Sequence, residues 1–435
     1  MINNPEKIKA FVNKTYHYLG SNKQQEITRL LFEIAKREHV HFEKIAGELP
    51  QPPNRFVTIK NYLLERRYPS LTKTGSAIRP SFFDITIDPY LKVDISENPQ
   101  NKQKQFFIEE SVLHSELVKR VKIRFPKSSF EVIKSYRDHT RTRRFGIADY
   151  NHRAGNIYLI REDYDFYKRC PCSNNSSPCG YYVVNLGSGC PYECTYCVLQ
   201  DYINSPGIVL PTNINDFFTA FRKFDKDIRC GSGELTDSLA FDHITGYSPQ
   251  IVEFFRHHPK SMFEFKTKSN TIDLLTSVPG AKNIIVSWSL NPQTIIDTVE
   301  YFTASLIERL EAAQRCVACG YRVAFHFDPI IYYKGWENDY ENLIDALFDM
   351  VHAEDIIWIS LGTLRMTPQL KKIIENRFPD NTILDEEFLV GHDGKLRYPR
   401  EMRVSMYTLM KSWIRKRRKG VPIYLCMEEP SLHSR

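Results

Sequence analysis

Between Tyr181 and Leu361 six short β-rich runs alternate with helical ones, and that alternation restricts the fold more than any other feature of the chain. The runs are Tyr181–Leu186, Asp227–Cys230, Met262–Thr267, Asn283–Leu290, Arg322–Phe327 and Ile356–Leu361. Helical patterns fall near Ile214–Phe224, Pro249–Phe255, Thr271–Leu275, Thr303–Ala318 and Tyr340–Val351. Strand, helix, strand in succession makes a parallel pair joined by a right-handed crossover. Six such units are too few to close an eight-fold barrel. The expected fold is therefore α/β, a partial (β/α)6 TIM-type barrel with its chemistry at the C-terminal strand ends.

The flanks read differently. Residues 1–104 form a mostly helical extension: Ser21-x-x-Gln24 reads as a capping box, and Ile27, Leu30, Leu31 and Ile34 share one helical face. A Pro-rich break at Gly47–Asn54 precedes a second helix over Phe56–Tyr68, which ends in Arg66 and Arg67. Ser96–Gln105 reads as a polar linker. The main domain is then 105–430, with its barrel core at about 180–362; Ser111–Arg120 is expected to be helical and Phe130–Tyr136 a strand or extended lead-in. Asp393-Gly394 within Asp385–Tyr398 predicts a β-hairpin. A final helix closes on Arg415–Lys419, a basic run that suits a solvated helix end or a phosphate contact.

The first barrel strand runs into Gly189-Cys190-Pro191-Tyr192-Glu193-Cys194-Thr195-Tyr196-Cys197. In a tight loop the C-x3-C-x2-C spacing lets Cys190, Cys194 and Cys197 bind three corners of a [4Fe-4S] cube, and the fourth iron, left open, usually takes S-adenosylmethionine in this spacing. The rival is zinc, which prefers four ligands in paired C-x2-C knuckles. The opening Met1–Glu6 lacks an apolar signal core and no stretch is long enough to span a membrane, so a cytoplasmic chain with reduced thiols and no membrane partner is expected. Six of the ten cysteines lie between Cys170 and Cys197, which points to metal rather than disulfides. Cys170, Cys172 and Cys179 offer a possible second site, with His152 as a further ligand; the alternative is reduced cysteines in a Ser/Asn-rich loop.

Other residues fall where a barrel keeps its chemistry. Gly231-Ser232-Gly233-Glu234 ends the second strand, where glycines allow close approach and the carboxylate accepts from an ammonium. Lys268, Ser289, Asn291, His326 and Asp328 stand at later strand ends, each with the alternative of a satisfied loop residue. Cys316-x2-Cys319 sits in a helix ending at Gly320 and reads as packing. The formal charge of +7 permits a polyanionic partner without requiring one.

With these residues in place, the chain resembles the spore photoproduct lyase family of radical S-adenosylmethionine enzymes. The resemblance runs through most of 106–428: Gly189-Cys190-Pro191, Cys194-x-Tyr196-Cys197-x-Leu199-Gln200, Asp242-His243-Ile244-Thr245-Gly246 and Thr267-Lys268. It continues through Ser287-x-Ser289-Leu290-Asn291, Pro329-Ile330, Gly335-Trp336 and Tyr398-Pro399-Arg400-Glu401. It implies a [4Fe-4S] cluster on Cys190, Cys194 and Cys197, S-adenosylmethionine on the open iron, and cofactor contacts from Thr236, Lys268 and Ser289. Gly231, Gly233, Glu234 and Asn291 join that cofactor shell by position. Two positions depart from the family. Its repair enzymes carry a hydrogen-donor cysteine nine residues before the motif histidine, where this chain has Glu234; Cys230 is four residues earlier. A tyrosine of the same relay follows the third cluster cysteine, where this chain has Val198, leaving Tyr196.

The resemblance implies reductive cleavage of S-adenosylmethionine and hydrogen abstraction by a 5′-deoxyadenosyl radical. It calls for an electron donor of flavodoxin or ferredoxin type, with Tyr196, Glu234 and Cys230 as candidate catalytic groups. A DNA or other nucleic-acid lesion is the favoured substrate, reached by base flipping, and Lys395-Leu396-Arg397-Tyr398 is the hairpin that lies against DNA in the repair enzymes. Loss of the donor cysteine and the added N-terminal segment favour a non-DNA substrate for the same chemistry. A third reading is a non-catalytic zinc- or cluster-bearing nucleic-acid binder.

Overall fold

The structure, a computed structural model, describes residues 4–49, 55–70, 85, 87–141, 145–164, 166–171, 180–202, 205–391 and 393–433. Its strands begin with β1 (Gln105–Glu109), β2 (Ser129–Ile133), β3 (Asn156–Ile160), β4 (Tyr167–Arg169), β5 (Tyr182–Val184), β6 (Glu193–Cys194) and β7 (Ile208–Pro211). They continue as β8 (Arg229–Ser232), β9 (Met262–Thr267), β10 (Ile284–Ser289), β11 (Glu300–Tyr301), β12 (Arg322–Ile330) and β13 (Ile356–Thr363). β14 (Arg365–Met366), β15 (Leu389–Val390), β16 (Leu396–Arg397) and β17 (Ile423–Leu425) complete the series. The chain divides into two compact units, one of Asp94–Ile330, Gly335–Thr363 and Met406–Arg435, the other of Met1–Val93, Ile331–Lys334 and Leu364–Ser405.

The larger unit holds an eight-stranded sheet in the order β17-β13-β12-β10-β9-β8-β5-β4, curled as a half-barrel. The six expected strands are β5, β8, β9, β10, β12 and β13, in sequence order and all parallel. β17 adds a further parallel strand and β4 an antiparallel edge. Side chains alternate between the two faces. Cys230, Phe263, Phe265, Val286, Trp288, Phe325, Ile359 and Leu361 share the outer face and are buried. On that face Phe217, from helix Ile214–Phe221, and Phe255, from helix Tyr247–Arg256, meet the Phe263 ring at centroid distances of 6.3 and 5.0 Å. Each fully buried Phe contributes about 1.5–3 kcal/mol, so this face holds the sheet to its helices. The opposite face, the lumen, carries Gly231, Glu264, Lys266, Ser287, Ser289, His326, Ser360 and Tyr424. A polar face inside a parallel sheet departs from the apolar rule for buried strands.

Within the lumen Glu264 Oε1 accepts from His326 Nε2 at 2.8 Å, and His326 Nδ1 accepts from the Ser360 hydroxyl at 2.5 Å. Arg229 stands 3.6 Å from the other Glu264 oxygen and stacks 4.0 Å over the Trp358 ring. Burial, then Lys266, pushes His326 below the usual imidazole value of 6.5, against the pull of Glu264 and Asp328. Burial pushes Glu264 up, but His326 and Arg229 outweigh it and hold the carboxyl low. Both groups therefore bind protons more readily in the unfolded chain. Stability is present above about pH 6.5 and is lost as pH falls, first through His326 and then through Glu264. Denaturation midpoints followed downward from neutral pH are expected to record a loss of up to about 1.4 kcal/mol per pH unit from His326. His326→Gln should flatten that slope, leaving the part due to His243 and His258, which burial also holds down.

A second parallel sheet, ordered β2-β1-β3-β7, packs Phe107, Ile133, Tyr158, Ile160 and Val209 into a small core. Of its strands only β2 matches an expected run. The helix expected over Ser111–Arg120 instead starts at Glu116, because Ser115 caps it by accepting from the Val118 N–H at 3.4 Å; a 3-10 turn at Glu110–Val112 precedes it. The basic run also finds partners. Arg417 pairs with Asp345 at 3.1 Å and with Asp349, and Arg418 pairs with Glu354 at 2.6 Å.

The smaller unit begins with helices α1 (Pro5–Thr15), α2 (Ser21–Glu38), α3 (Phe42–Gly47) and α4 (Phe56–Arg67). Ile27, Leu30, Leu31 and Ile34 line its core as their spacing implied. The capping box does not form: Gly20 is the N-cap, Ser21 is already helical, and the Gln24 amide donates to the Tyr16 carbonyl at 3.0 Å. Glu33 is buried at the centre of an ionic cluster, accepting from Arg29 at 2.7 Å, Arg67 at 2.8 Å and Lys371 at 2.6 Å. The expected hairpin is β15–β16, extended to three strands by β14. Its Leu396, Arg397 and Tyr398 are buried, with Arg397 paired to Asp393 at 2.7 Å and Tyr398 stacked on Phe388 at 4.8 Å. Only Lys395 of that four-residue run is appreciably exposed, its side chain at 30%. Among the described residues no helix is long and apolar enough to cross a membrane.

Candidate metal centre and active site

After β5 the chain turns into the loop that carries the three thiols. Gly189 sits at φ 88°, in the left-handed region, and a Cβ there would stand 3.3 Å from the Ile208 Cα. Glycine is what lets the loop lie against β7, where Ser188 and Val209 exchange N–H···O bonds of 2.9 and 2.8 Å. β6 then pairs with β11, placing Cys194 opposite Glu300 and Glu193 opposite Tyr301. The buried Gln200 amide donates to the carbonyls of Thr195 and Cys197 at 2.8 and 3.0 Å. Arg153, also buried, donates to the carbonyls of Cys190 at 2.9 Å and Tyr192 at 2.5 Å and pairs with Glu193 at 2.5 Å. The loop's backbone is thus held by groups that belong to the protein alone.

Cys190, Cys194 and Cys197 are free thiols clustered with Tyr192, Tyr196, Ala240 and Phe302. Burial pushes all three up, Cys190 to about 12. Thiols in such surroundings stay neutral unless a cation shares their charge, and an iron–sulfur cluster is such a group. Among the described residues no three His, Cys, Asp or Glu side chains converge as a single ion requires, these cysteines included. A cubane takes each thiolate on a different iron and asks for no such convergence.

Beside the loop, Tyr196 donates its hydroxyl hydrogen to Glu300, which is fully buried. Asn291 Nδ2 donates to the same carboxylate at 2.8 Å, and Asn291 Oδ1 accepts from the Tyr340 hydroxyl at 2.6 Å. Arg309 completes the set with bonds of 2.8 Å to Glu300, 2.6 Å to Thr303, 2.8 Å to the Ser289 carbonyl and 2.9 Å to the Ala304 carbonyl. Burial pushes Glu300 up, but Arg309 and Lys268 outweigh it and keep the carboxyl low. Lys268 lies 5.7 Å over the Tyr196 ring, and its ammonium has no hydrogen bond or ion pair to a described residue. Burial lowers it, yet Glu300 and Cys194 more than compensate and hold it up. The structure thus gathers Tyr196, Lys268, Ser289 and Asn291 beside the cysteine loop. Arg153, Glu300, Arg309 and Tyr340 were missed from sequence, because an Arg within an amphipathic helix such as Leu306–Ala318 looks like a surface charge, while Gln200 was read as a motif residue without a role.

The end of β8 reads differently in three dimensions. The space a Gly231 Cβ would fill is taken by the Tyr181 hydroxyl and the Glu264 carbonyl, and that of Gly233 by the Lys266 carbonyl at 2.8 Å. Each glycine admits a close approach by the protein itself. Glu234 is half-buried, and burial raises it against the pull of Lys168. Thr236 is buried, and its Oγ1 has no hydrogen-bond partner among the described residues. Cys230, read from sequence as a candidate hydrogen donor, does not face the lumen. It stands in register with Tyr182 and Phe263 on the helix-covered face, with its thiol against the Met262 carbonyl at 3.6 Å. Gly231 faces the lumen in its place. Val198 is 43% exposed. Cys426 follows β17 at the C-terminal strand ends, two residues past the lumen-facing Tyr424, and donates its N–H to the Leu361 carbonyl at 2.8 Å. Of the possible second site, Cys172 and Cys179 lie outside the described residues, while Cys170 donates its N–H to the Tyr181 carbonyl at 2.9 Å.

Comparison with known proteins gives one answer. A family model described as "Spore photoproduct lyase" matches residues 103–417. The spore photoproduct lyase of Geobacillus sp. (strain Y412MC61) is 28% identical over 222 residues, 49% of this chain and 65% of that protein. That of Bacillus subtilis (strain 168) is 28% identical over 224 residues, again 49% and 65%. The chain thus spans just under two thirds of the length of these relatives. A solved spore photoproduct lyase complexed with dinucleoside spore photoproduct superposes with a TM-score of 0.65 at 24% identity, covering 74% of this chain and 99% of that one. A mutant form with bound AdoMet and dinucleoside spore photoproduct gives a TM-score of 0.65 at 23% identity. At such identities the superposition speaks for the fold.

Proposed function

The chain belongs to the spore photoproduct lyase family, and on that premise we propose that it is a radical S-adenosylmethionine enzyme acting on a nucleic-acid lesion. The observation that carries this reading is the loop of three free thiols, one buried and two half-buried, at the C-terminal end of the first barrel strand, with an ammonium, Lys268, and a hydroxyl, Thr236, that find no partner among the described residues. Cys190, Cys194 and Cys197 would hold a [4Fe-4S] cluster. Lys268, Thr236, Glu234, Ser289 and Asn291 would hold S-adenosylmethionine, Lys268 meeting its carboxylate. When bound, the pair supplies one-electron cleavage to a carbon radical that abstracts hydrogen. An acidic electron carrier of flavodoxin or ferredoxin type would deliver the electron. The protein's own part is to fix the loop through Arg153, Gln200 and Glu300, to neutralise charge with Lys268 and to shield the lumen from water.

The outward turn of Cys230 favours a second reading, the same radical chemistry ended differently or spent on a non-DNA substrate. Cys426, just past the C-terminal end of β17, is the residue to exchange first. Anaerobic turnover of spore-photoproduct DNA separates the two. Repair to thymine, lost in Cys426→Ala, supports lesion repair with a relocated donor. 5′-Deoxyadenosine formed without repair sinks the lyase reading and keeps the radical one.

A further inference from the structure

The lumen has two layers with opposite hydrogen-bonding character. In the deeper one, Glu264, His326 and Ser360 use one another's donors and acceptors and are almost wholly buried. Above it stands Lys266. Its register puts it on the lumen face between Gly233 and Ser287, and its Cβ is 3.0 Å from where a Gly233 Cβ would be. A side chain on Gly233 would therefore crowd the base of this lysine. Lys266 is half-buried, yet no described residue offers its ammonium a hydrogen bond or an ion pair. Lysines withdrawn from water are normally paired, because an unpaired buried charge is costly. On the same face, two residues beyond Val183 where β5 pairs with β8, Asn185 leaves its Oδ1 buried without a partner. Lys268, beside the cysteine loop, is two residues further along the strand, about 6.6 Å nearer the mouth.

We propose that Lys266 is a substrate-binding residue that donates to an acceptor oxygen of the group inserted into the lumen. On the functional reading above, on which this assignment rests, that oxygen is an exocyclic carbonyl of the flipped pyrimidine lesion. The position suits this role. Lys266 lies below the level of the proposed cofactor contacts and above a layer whose groups are already satisfied, so the substrate's inner edge is what remains to meet it. Asn185 supplies a complementary amide on the same wall. A base edge that alternates carbonyl oxygens and N–H groups suits a cationic donor on β9 and an amide two strands away, past β5, on the same face.

The test uses the full chain with its cluster, in wild type, Lys266→Met and Lys266→Arg. Fluorescence anisotropy measures binding of an oligonucleotide carrying the spore photoproduct and of its undamaged counterpart. Equilibrium dialysis measures S-adenosylmethionine binding. Lys266→Met is expected to weaken lesion binding about tenfold or more, the loss of one hydrogen bond from a charged donor, with undamaged DNA and S-adenosylmethionine bound as in wild type. Lys266→Arg should recover part of the loss. Undiminished lesion binding by Lys266→Met overturns the assignment alone, and so does a parallel loss of S-adenosylmethionine binding, which would make Lys266 a cofactor residue. A wild type that binds both oligonucleotides equally overturns the lesion reading and this assignment with it.

Discussion

Exchange of Cys190, Cys194 and Cys197 together for alanine is expected to take the anaerobically purified protein from about four irons per chain to none. Cleavage of S-adenosylmethionine should fall to background with it. The loop supplies three thiols to one small volume, and burial leaves each too costly to ionise without a metal to share the charge. Among the described residues the nearby carboxylates are already committed, Glu193 to Arg153, Glu300 to Arg309, and Asp237 to the Thr267 hydroxyl and the Lys268 N–H. The variant should keep its fold. The loop's path is set by backbone bonds to Val209, Val299 and Leu235 and by Arg153 and Gln200, none of which involves a thiol. Iron, acid-labile sulfide and EPR of the reduced protein read the outcome, with circular dichroism as the fold control. Iron that persists in the triple variant would establish a second cluster and direct attention to Cys170, Cys172 and Cys179.

Arg309→Ala is expected to be the most destabilising single substitution in the larger unit, by about 3–5 kcal/mol. The guanidinium is inaccessible to solvent and satisfies a carboxylate, a hydroxyl and two carbonyls. Its removal strands Glu300 as a buried charge whose remaining neighbours are Tyr196, Asn291 and Lys268. Because Glu300 pairs with Cys194 through β11 and β6, the damage should reach the cluster loop. Chemical denaturation followed by tryptophan fluorescence, with Trp288 in β10 as the buried reporter, should show an earlier midpoint. Iron should be lost on desalting where wild type keeps it. Arg309→Met combined with Glu300→Gln should recover much of the stability, since replacing both partners of a buried pair strands no charge. An unchanged midpoint in Arg309→Ala would mean that water or another cation takes the guanidinium's place.

What could be read in the sequence follows from how local each signal is. Five of the six strands were legible as runs rich in β-branched and aromatic residues set off by helical spacing, and β8, which reads Arg-Cys-Gly-Ser, through its place in the alternation. The helical face of Ile27, Leu30, Leu31 and Ile34 was legible for the same reason. The second parallel sheet was not, because β1, β3 and β7 are isolated five- or four-residue runs whose pairing is decided by partners far along the chain. The Ser21 capping box failed because Gly20 takes the cap position one residue earlier. At the site, the cysteines and Lys268 carry their chemistry in motifs. Glu300 and Arg309 carry theirs only through burial, which spacing does not reveal. The face that Cys230 takes was illegible for a related reason. Distance along a strand locates a residue near the mouth, but a shift of one position decides which side of the sheet it faces.

The smaller unit is assembled from three separated pieces of chain, and this bears on how the protein is made. About 270 residues separate Val93 from Leu364, so at ribosomal rates of about 5–20 residues per second the first four helices wait tens of seconds for their last partners. During that interval Glu33 has Arg29 and Arg67 but lacks Lys371. Until residue 405 leaves the exit tunnel, the first four helices lack part of their unit and the third cation of Glu33. Slowing translation in the 94–363 interval should lower the yield of folded enzyme even though the delayed codons specify a different unit.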